Sequence, residues 1–171
     1  MEAMRNDGRL VVKAVGDREL SMTRVFEAPR HLVYAAFTRP ELVSRWLGVF
    51  GGWTMDVCEM DLRVGGAYRW GWRHAPDGGV MRMGGTYREV VPEERIVATE
   101  RFDEAWYPGE AVDTTTFVEQ GGRTTVAMTV RYASKEAREG ALASPMEHGV
   151  ATGYDTLDGI LAAQLGQGVH P

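Results

Sequence analysis

Five Gly-Gly pairs divide the chain into short segments and constrain its fold more than any other feature. They stand at positions 51–52, 65–66, 78–79, 84–85 and 121–122. Between several of them lie short stretches rich in aromatic and β-branched residues, which favour strands, whereas paired glycines favour tight turns. The pattern therefore predicts antiparallel hairpins and argues against βαβ units.

The strands and short helices can be placed from the spacing of apolar residues. Two short helices are expected at 29–37 and 40–47, where Thr38 and Glu41 have capping-box spacing and Gly48 ends the second helix. The segments Asp77-Gly78-Gly79 and Gln120-Gly121-Gly122 have the composition of hairpin turns. The predicted strands are 19–27, 53–62, 67–73, 80–90, 95–102, 114–119 and 124–132, with an extension at 10–15 before the first.

The last predicted element is a long helix over residues 145–165. Ser144 is a good N-cap, Pro145 suits the first helical position, and Glu147 completes a capping box. Such a helix is about 31 Å long, which is enough to lie across a sheet. Helices on one face of an antiparallel sheet make an α+β domain. We expect a single domain over 1–171, with a core at about 18–165, an N-terminal extension or extra strand at 1–17, and a tail at 166–171.

Composition excludes several classes of protein. The net charge of −5 and the lack of a basic stripe argue against nucleic-acid binding. No apolar run is long enough to span a bilayer, and the polar start has no signal-peptide core. Cys58 is the only cysteine, so disulfide scaffolds and cysteine-based zinc sites are excluded, and we expect a cytoplasmic protein.

Motifs for metal, nucleotide or nucleophilic chemistry are missing from the sequence. The four histidines do not have metal-ligand spacing, no serine lies in G-x-S-x-G, and the glycine pairs form no phosphate-binding loop. The sequence therefore predicts no metal and no cofactor. An enzyme is not favoured.

Four segments resemble the AHSA-type proteins, homologues of the activator of the heat-shock-protein ATPase, in the START/SRPBCC superfamily. They are RVFEAPR at 24–30, MDLRVGGAYR at 60–69, GTYREVVPEERIV at 85–97, and Gly153-Tyr154 followed by Leu157-Asp158. The resemblance implies the helix-grip fold, in which a bent seven-stranded antiparallel sheet surrounds a long C-terminal helix and leaves a cavity between them. It also implies that two short helices follow the first strand. Across that superfamily, such cavities bind lipids, polyketides, flavonoids and hormones.

The candidate ligand site lies on the predicted inner faces of the strands and the helix. Alternation turns aromatic and methionine side chains to one side. Core packing alone explains any single one of these residues, and periodicity does not separate a cavity from a core; the resemblance is what implies the cavity. The expected lining residues are Trp70, Trp72, Met81, Met83, Tyr87, Met128, Val150, Tyr154 and Leu157.

One polar residue, Glu100, is expected on the same inner side, because it alternates with Ile96, Ala98 and Phe102. A buried carboxylate is costly unless it is paired or neutral. It either pairs with an arginine or has a raised pKa and orients a ligand. Trp106 and Tyr107, in a wider loop, are expected to gate the entrance.

Three functions follow as hypotheses. The first is binding of a small hydrophobic or aromatic molecule between the helix and the sheet. The second is an interaction module that stimulates a chaperone ATPase, and the third is a cyclase- or hydrolase-type enzyme that uses interior acids such as Glu100. A homodimer stays open.

Overall fold

A computed structural model describes residues 9–104 and 109–167, which form one antiparallel sheet and four helices. The strands are β1 (Val11–Val15), β2 (Glu19–Phe26), β3 (Trp53–Met60), β4 (Ala67–His74), β5 (Val80–Val91), β6 (Arg95–Phe102), β7 (Ala111–Gln120) and β8 (Arg123–Arg131). The helices are α1 (Arg30–Thr38), α2 (Pro40–Trp46), α3 (Lys135–Ala143) and α4 (Met146–Gln167).

The sheet has the order β1-β2-β8-β7-β6-β5-β4-β3, and every neighbouring pair is antiparallel. The predicted α+β helix-grip fold is therefore confirmed. The described sheet has eight strands instead of the expected seven, because the extension predicted at 10–15 pairs with β2 along its whole length.

The two predicted Gly-Gly turns form as their composition indicates. Gly121 and Gly122 both have positive φ, 61° and 77°, and join β7 to β8 through the pair Gln120↔Arg123. Two consecutive residues with positive φ are typical of the tight hairpin turns that match the twist of a sheet. In the β4–β5 turn, Asp77 Oδ1 accepts a hydrogen bond from the Gly79 N–H at 2.8 Å.

Helix α3 is an element that the sequence did not predict. Its N-cap is Ser134, whose Oγ accepts a hydrogen bond from the Ala137 N–H at 3.1 Å. The side chains that it buries are Ala137, Arg138 and Ala141, so it carries no large apolar stripe that a periodicity search would detect. Arg138 instead donates hydrogen bonds to the carbonyl of Gly16 at 3.0 Å and that of Glu19 at 3.1 Å.

Helix α4 packs on the inner face of the sheet beside α1 and α2. Its buried residues Tyr154, Leu157 and Leu161 share one cluster with Phe26 and Phe117. Gly153 permits a close approach to α2, because a Cβ at this position would lie 3.0 Å from the carbonyl oxygen of Trp46. No helix in the described part of the chain is long and apolar enough to cross a membrane.

Candidate ligand-binding site

The inner face of the sheet can be followed strand by strand through its register, because paired residues point to the same side. One row runs from Tyr87 on β5 through Ala98, Asp113 and Val130 to Leu20 on β2. The next row places Glu100 opposite Ala111. Two of these inward positions are Ala98 and Ala111, whose short side chains fill less of the space between the sheet and the helix.

The buried core consists of three clusters, which meet through partly buried residues. Val150 packs against the clusters of Phe117 and Tyr132, and Phe102 packs against those of Tyr132 and Trp72. A protein interior is normally close-packed, with few voids. At this meeting point, several inward side chains are only partly covered by their neighbours.

Six residues at this meeting point, called here the interior cluster, remain partly exposed although they lie on the inner side of the sheet and helix. They combine apolar walls with two acids. The interior cluster consists of Trp70, Glu100, Phe102, Asp113, Met128 and Val150.

Asp113 is the main feature of this site that the sequence analysis missed. Its carboxyl group lies beside that of Glu100, on the neighbouring strand, where the two can share a hydrogen bond once one of them is protonated. Burial raises the pKa of Asp113 well above its usual value, and the charge of Glu100 and the hydrogen bond between the two groups act in the same direction. The Oδ1 atom of Asp113 is buried and has no hydrogen-bond partner within the described residues.

Two tyrosines close to this carboxyl pair also have perturbed acidity. Burial raises the pKa of Tyr132, and the charges of Glu100 and Asp113 raise it further. Burial likewise raises the pKa of Tyr154 on α4; Arg24 opposes this shift and Asp113 adds to it. Both hydroxyls therefore stay protonated at neutral pH and can act as hydrogen-bond donors.

Two further polar atoms on the inner face lack a partner in the part of the chain that the structure describes: Trp70 Nε1 and Tyr87 Oη. Other aromatic polar groups are satisfied. Trp72 Nε1 donates to the Leu47 carbonyl at 2.7 Å, and the Tyr68 hydroxyl donates to the Thr99 carbonyl at 2.6 Å. Because buried polar atoms in native proteins nearly always have partners, those of Trp70 and Tyr87 mark a place for a polar ligand atom or water.

The predicted lining residues fall into different surroundings. Trp70, Glu100, Met128 and Val150 are members of the interior cluster, since each lies on the inner side and is partly exposed. Met81 is 40% exposed, in the part of β5 next to the hairpin turn. Trp106 and Tyr107 lie outside the described residues. The remaining lining residues are buried in the surrounding clusters: Trp72, Met83, Tyr87, Tyr154 and Leu157.

Arg24 is a second buried charged residue that the sequence analysis missed. It is 3% exposed and points inward between Met22 and Phe26. Its guanidinium donates to Asp155 Oδ1 at 2.9 Å and also pairs with Asp158, both on α4. Two carboxylates thus compensate this buried cation, which ties β2 to α4.

The described residues hold no group of three or more His, Cys, Asp or Glu side chains that is arranged to bind a metal ion. The Cys58 thiol lies 3.7 Å from the carbonyl oxygen of Pro40. Burial raises the pKa of Cys58, and the charge of Glu41 adds to the effect. The thiol form is therefore favoured over the nucleophilic thiolate.

The family can now be assigned. The model of the family described as Activator of Hsp90 ATPase homolog 1-like protein matches residues 27–162. The chain belongs to this family. A search of curated proteins finds no significant match.

Solved structures of similar fold come from several bacteria. A protein from Rhodobacter sphaeroides is 32% identical, with a TM-score of 0.85 over 91% of this chain and 99% of its own. A protein from Chromobacterium violaceum is 29% identical, with a TM-score of 0.71 over 84% of this chain and 96% of its own. An AHSA1-like protein from Aeromonas hydrophila shares the fold at 17% identity, with a TM-score of 0.65 over 83% of this chain and 93% of its own.

Proposed function

We propose that this protein binds a small hydrophobic or aromatic molecule between α4 and the inner face of the sheet. The observation that carries the proposal is the interior cluster, in which apolar side chains lie beside buried polar atoms that have no partner among the described residues. Ligand pockets have this composition: they are mostly apolar, with a few polar groups that fix orientation.

The walls of the proposed pocket suit a flat apolar ligand. Trp70 and Phe102 offer aromatic faces, and Met128 is an adaptable side chain that accommodates ligands of different shape. The loop between β6 and β7 leaves the sheet close to Glu100 and Ala111, at one end of the cluster. Trp106 and Tyr107 in this loop are the proposed gate.

A chaperone partner is the second candidate, because the matching family model carries the name of an ATPase activator. A docking surface of this kind requires a contiguous apolar patch. In the described chain, the large exposed apolar side chains are instead distributed over β1, the β3–β4 loop, the β4–β5 hairpin, β7 and α3. The interior site is therefore the better-supported proposal.

The test combines mass spectrometry of small molecules that co-purify with the protein and thermal unfolding in the presence of flavonoids, polyketides and fatty acids. A ligand at one hundred times its Kd adds about 2.7 kcal/mol to the free energy of unfolding. For a chain of this size, we expect a rise in Tm of about 5–10 °C.

Variants that fill the site separate interior binding from surface binding. Ala98→Phe places a ring on the inner face and should abolish the Tm rise, and Val150→Phe should do so from the helix side. Val118→Phe is the matched control, because Val118 is 59% exposed. No ligand-induced shift in the unmodified protein, or an equal shift in all variants, would reject the proposal.

A further inference from the structure

Glu100 and Asp113 give the proposed pocket a specific polar character, and this inference rests on the proposed function. They lie on adjacent strands, with Glu100 opposite Ala111 and Asp113 opposite Ala98, so they are diagonal neighbours on one face. Two carboxyl groups that are hydrogen-bonded to each other must share a proton, because two carboxylates offer only acceptors. The pair therefore carries one negative charge when a single proton lies between the two groups.

Among the described residues, those that face Asp113 bring no positive charge close to it. In its row lie Tyr87, Ala98 and Val130, and the charge that acts on it is that of Glu100. Tyr132, after β8, and Tyr154 on α4 are within electrostatic reach and are neutral at ordinary pH. The buried cation of this face, Arg24, is engaged by the two aspartates of α4.

An acceptor oxygen without a donor is thus held rigidly inside an apolar site. Asp113 is fixed by its strand and by Glu100, and its buried Oδ1 has no partner among the described residues. A ligand N–H or O–H that reaches this atom gains a hydrogen bond and removes the penalty of an unsatisfied buried acceptor. A ligand carboxylate brings a second negative charge into surroundings of low dielectric constant, where repulsion is strong.

We propose that Asp113, positioned by Glu100, accepts a hydrogen bond from a hydroxyl or amino group at the polar end of the bound molecule, and that the pair excludes molecules ending in a carboxylate. The ligand class is then an apolar or aromatic alcohol, phenol or amine. Fatty acids and aromatic acids fall outside it.

The test uses three probes with one ring system and different ends: naphthaleneethanol, naphthaleneethylamine and naphthaleneacetate. Their Kd values are measured by isothermal titration calorimetry at neutral pH on the full chain. Since a hydrogen bond to such a group is worth a factor of about ten or more, we expect the alcohol and the amine to bind at least about tenfold more tightly than the acetate.

Variants assign this preference to the carboxyl pair. Asp113→Asn combined with Glu100→Gln removes both ionisable carboxyl groups and with them the shared negative charge, so the preference over the acetate should fall to within about threefold. Asp113→Leu removes the acceptor oxygen itself and should weaken binding of the alcohol and the amine by about tenfold. Thr115→Val is the control, because Thr115 lies one inward position further along β7, opposite Ile96 and Met128, and should keep the preference of the unmodified protein.

The outcomes separate the two proposals. If all three probes bind the unmodified protein alike, or if the preference survives when Asp113→Asn and Glu100→Gln are combined, the role of the carboxyl pair is wrong while the pocket stands. If none of the probes binds, and no molecule in the thermal screen does, both proposals fail. Circular dichroism of each variant verifies that the fold is retained.

Discussion

The inner face of the sheet has two ends that differ in packing. At the aromatic end, the rings of Phe26, Phe37, Phe117 and Tyr154 meet at centroid distances of 5.3–6.0 Å in edge-to-face contacts. At the other end, the interior cluster keeps accessible surface and unpartnered polar atoms. The aromatic end thus has the packing of a stable core, and the other end is where we propose that a ligand binds.

The same contrast holds for buried charge. At the aromatic end, the Arg24 cation is compensated by two carboxylates and lies 5.5 Å from the ring centroid of Phe26. In the interior cluster, Asp113 instead lies beside a second acid, Glu100. A buried charge that is compensated serves architecture, whereas strained electrostatics inside a site are typical of function.

The largest expected effect comes from shortening a side chain at the aromatic end. Phe117 is 2% exposed and contacts the rings of Tyr34 and Phe37, so Phe117→Ala should lower the free energy of unfolding by about 4 kcal/mol. Met128→Ala removes a side chain of the interior cluster, which is only partly buried, and should cost less than about 2 kcal/mol. Urea unfolding measures both; equal losses would erase the contrast between the two ends.

The Arg24 contact provides an intermediate effect. Asp155→Asn combined with Asp158→Asn leaves the buried guanidinium without a counter-charge and should cost about 2 kcal/mol, a value reduced because both aspartates are partly exposed to water. Arg24→Met removes the cation and leaves two carboxylates that water can solvate, at a cost below about 1 kcal/mol. Chemical denaturation of the two variants should show this asymmetry, and the reverse order would contradict it.

The smallest effect is a dependence on pH that belongs to the interior cluster. The pKa of Asp113 is raised in the folded protein, so protonation of this carboxyl group stabilises the fold. This contribution to stability is fully present below the ordinary carboxyl pKa. It is lost as the pH rises towards the pKa of Asp113 in the folded protein. Asp113→Asn should therefore match the parent protein near pH 4 and become more stable than it at neutral pH. Thermal unfolding over that range is the measurement, and a constant difference between the two proteins would contradict the assignment.

Much of the fold follows from the sequence, because glycine turns and alternating strands are local signals. The predicted β6 agrees with the observed Arg95–Phe102, and α4 begins one residue later than expected. Alternation also places Glu100 on the inner face. Helix α3 lacked a signal because its buried residues are two alanines and an arginine.

Asp113 escaped prediction for a different reason. The stretch Val112-Asp113-Thr114-Thr115-Thr116 has no alternation of apolar and polar residues, and the predicted strand began at residue 114, whereas β7 begins at Ala111. Its proximity to Glu100 depends on the register of β6 against β7, which is a tertiary property. The same register places Asp113 beside Glu100, an arrangement that alternation along a single strand does not indicate.

Strand β1 has a consequence for how this chain is handled. Its five residues pair with Glu19 to Thr23 of β2 and occupy the outer hydrogen-bonding edge of that strand. In a shortened chain that starts at β2, the main-chain donors and acceptors along this edge of β2 would be unpaired. A second molecule could then add a strand at this edge. Trimming the first eighteen residues to obtain a more compact sample therefore risks self-association and loss of material from solution.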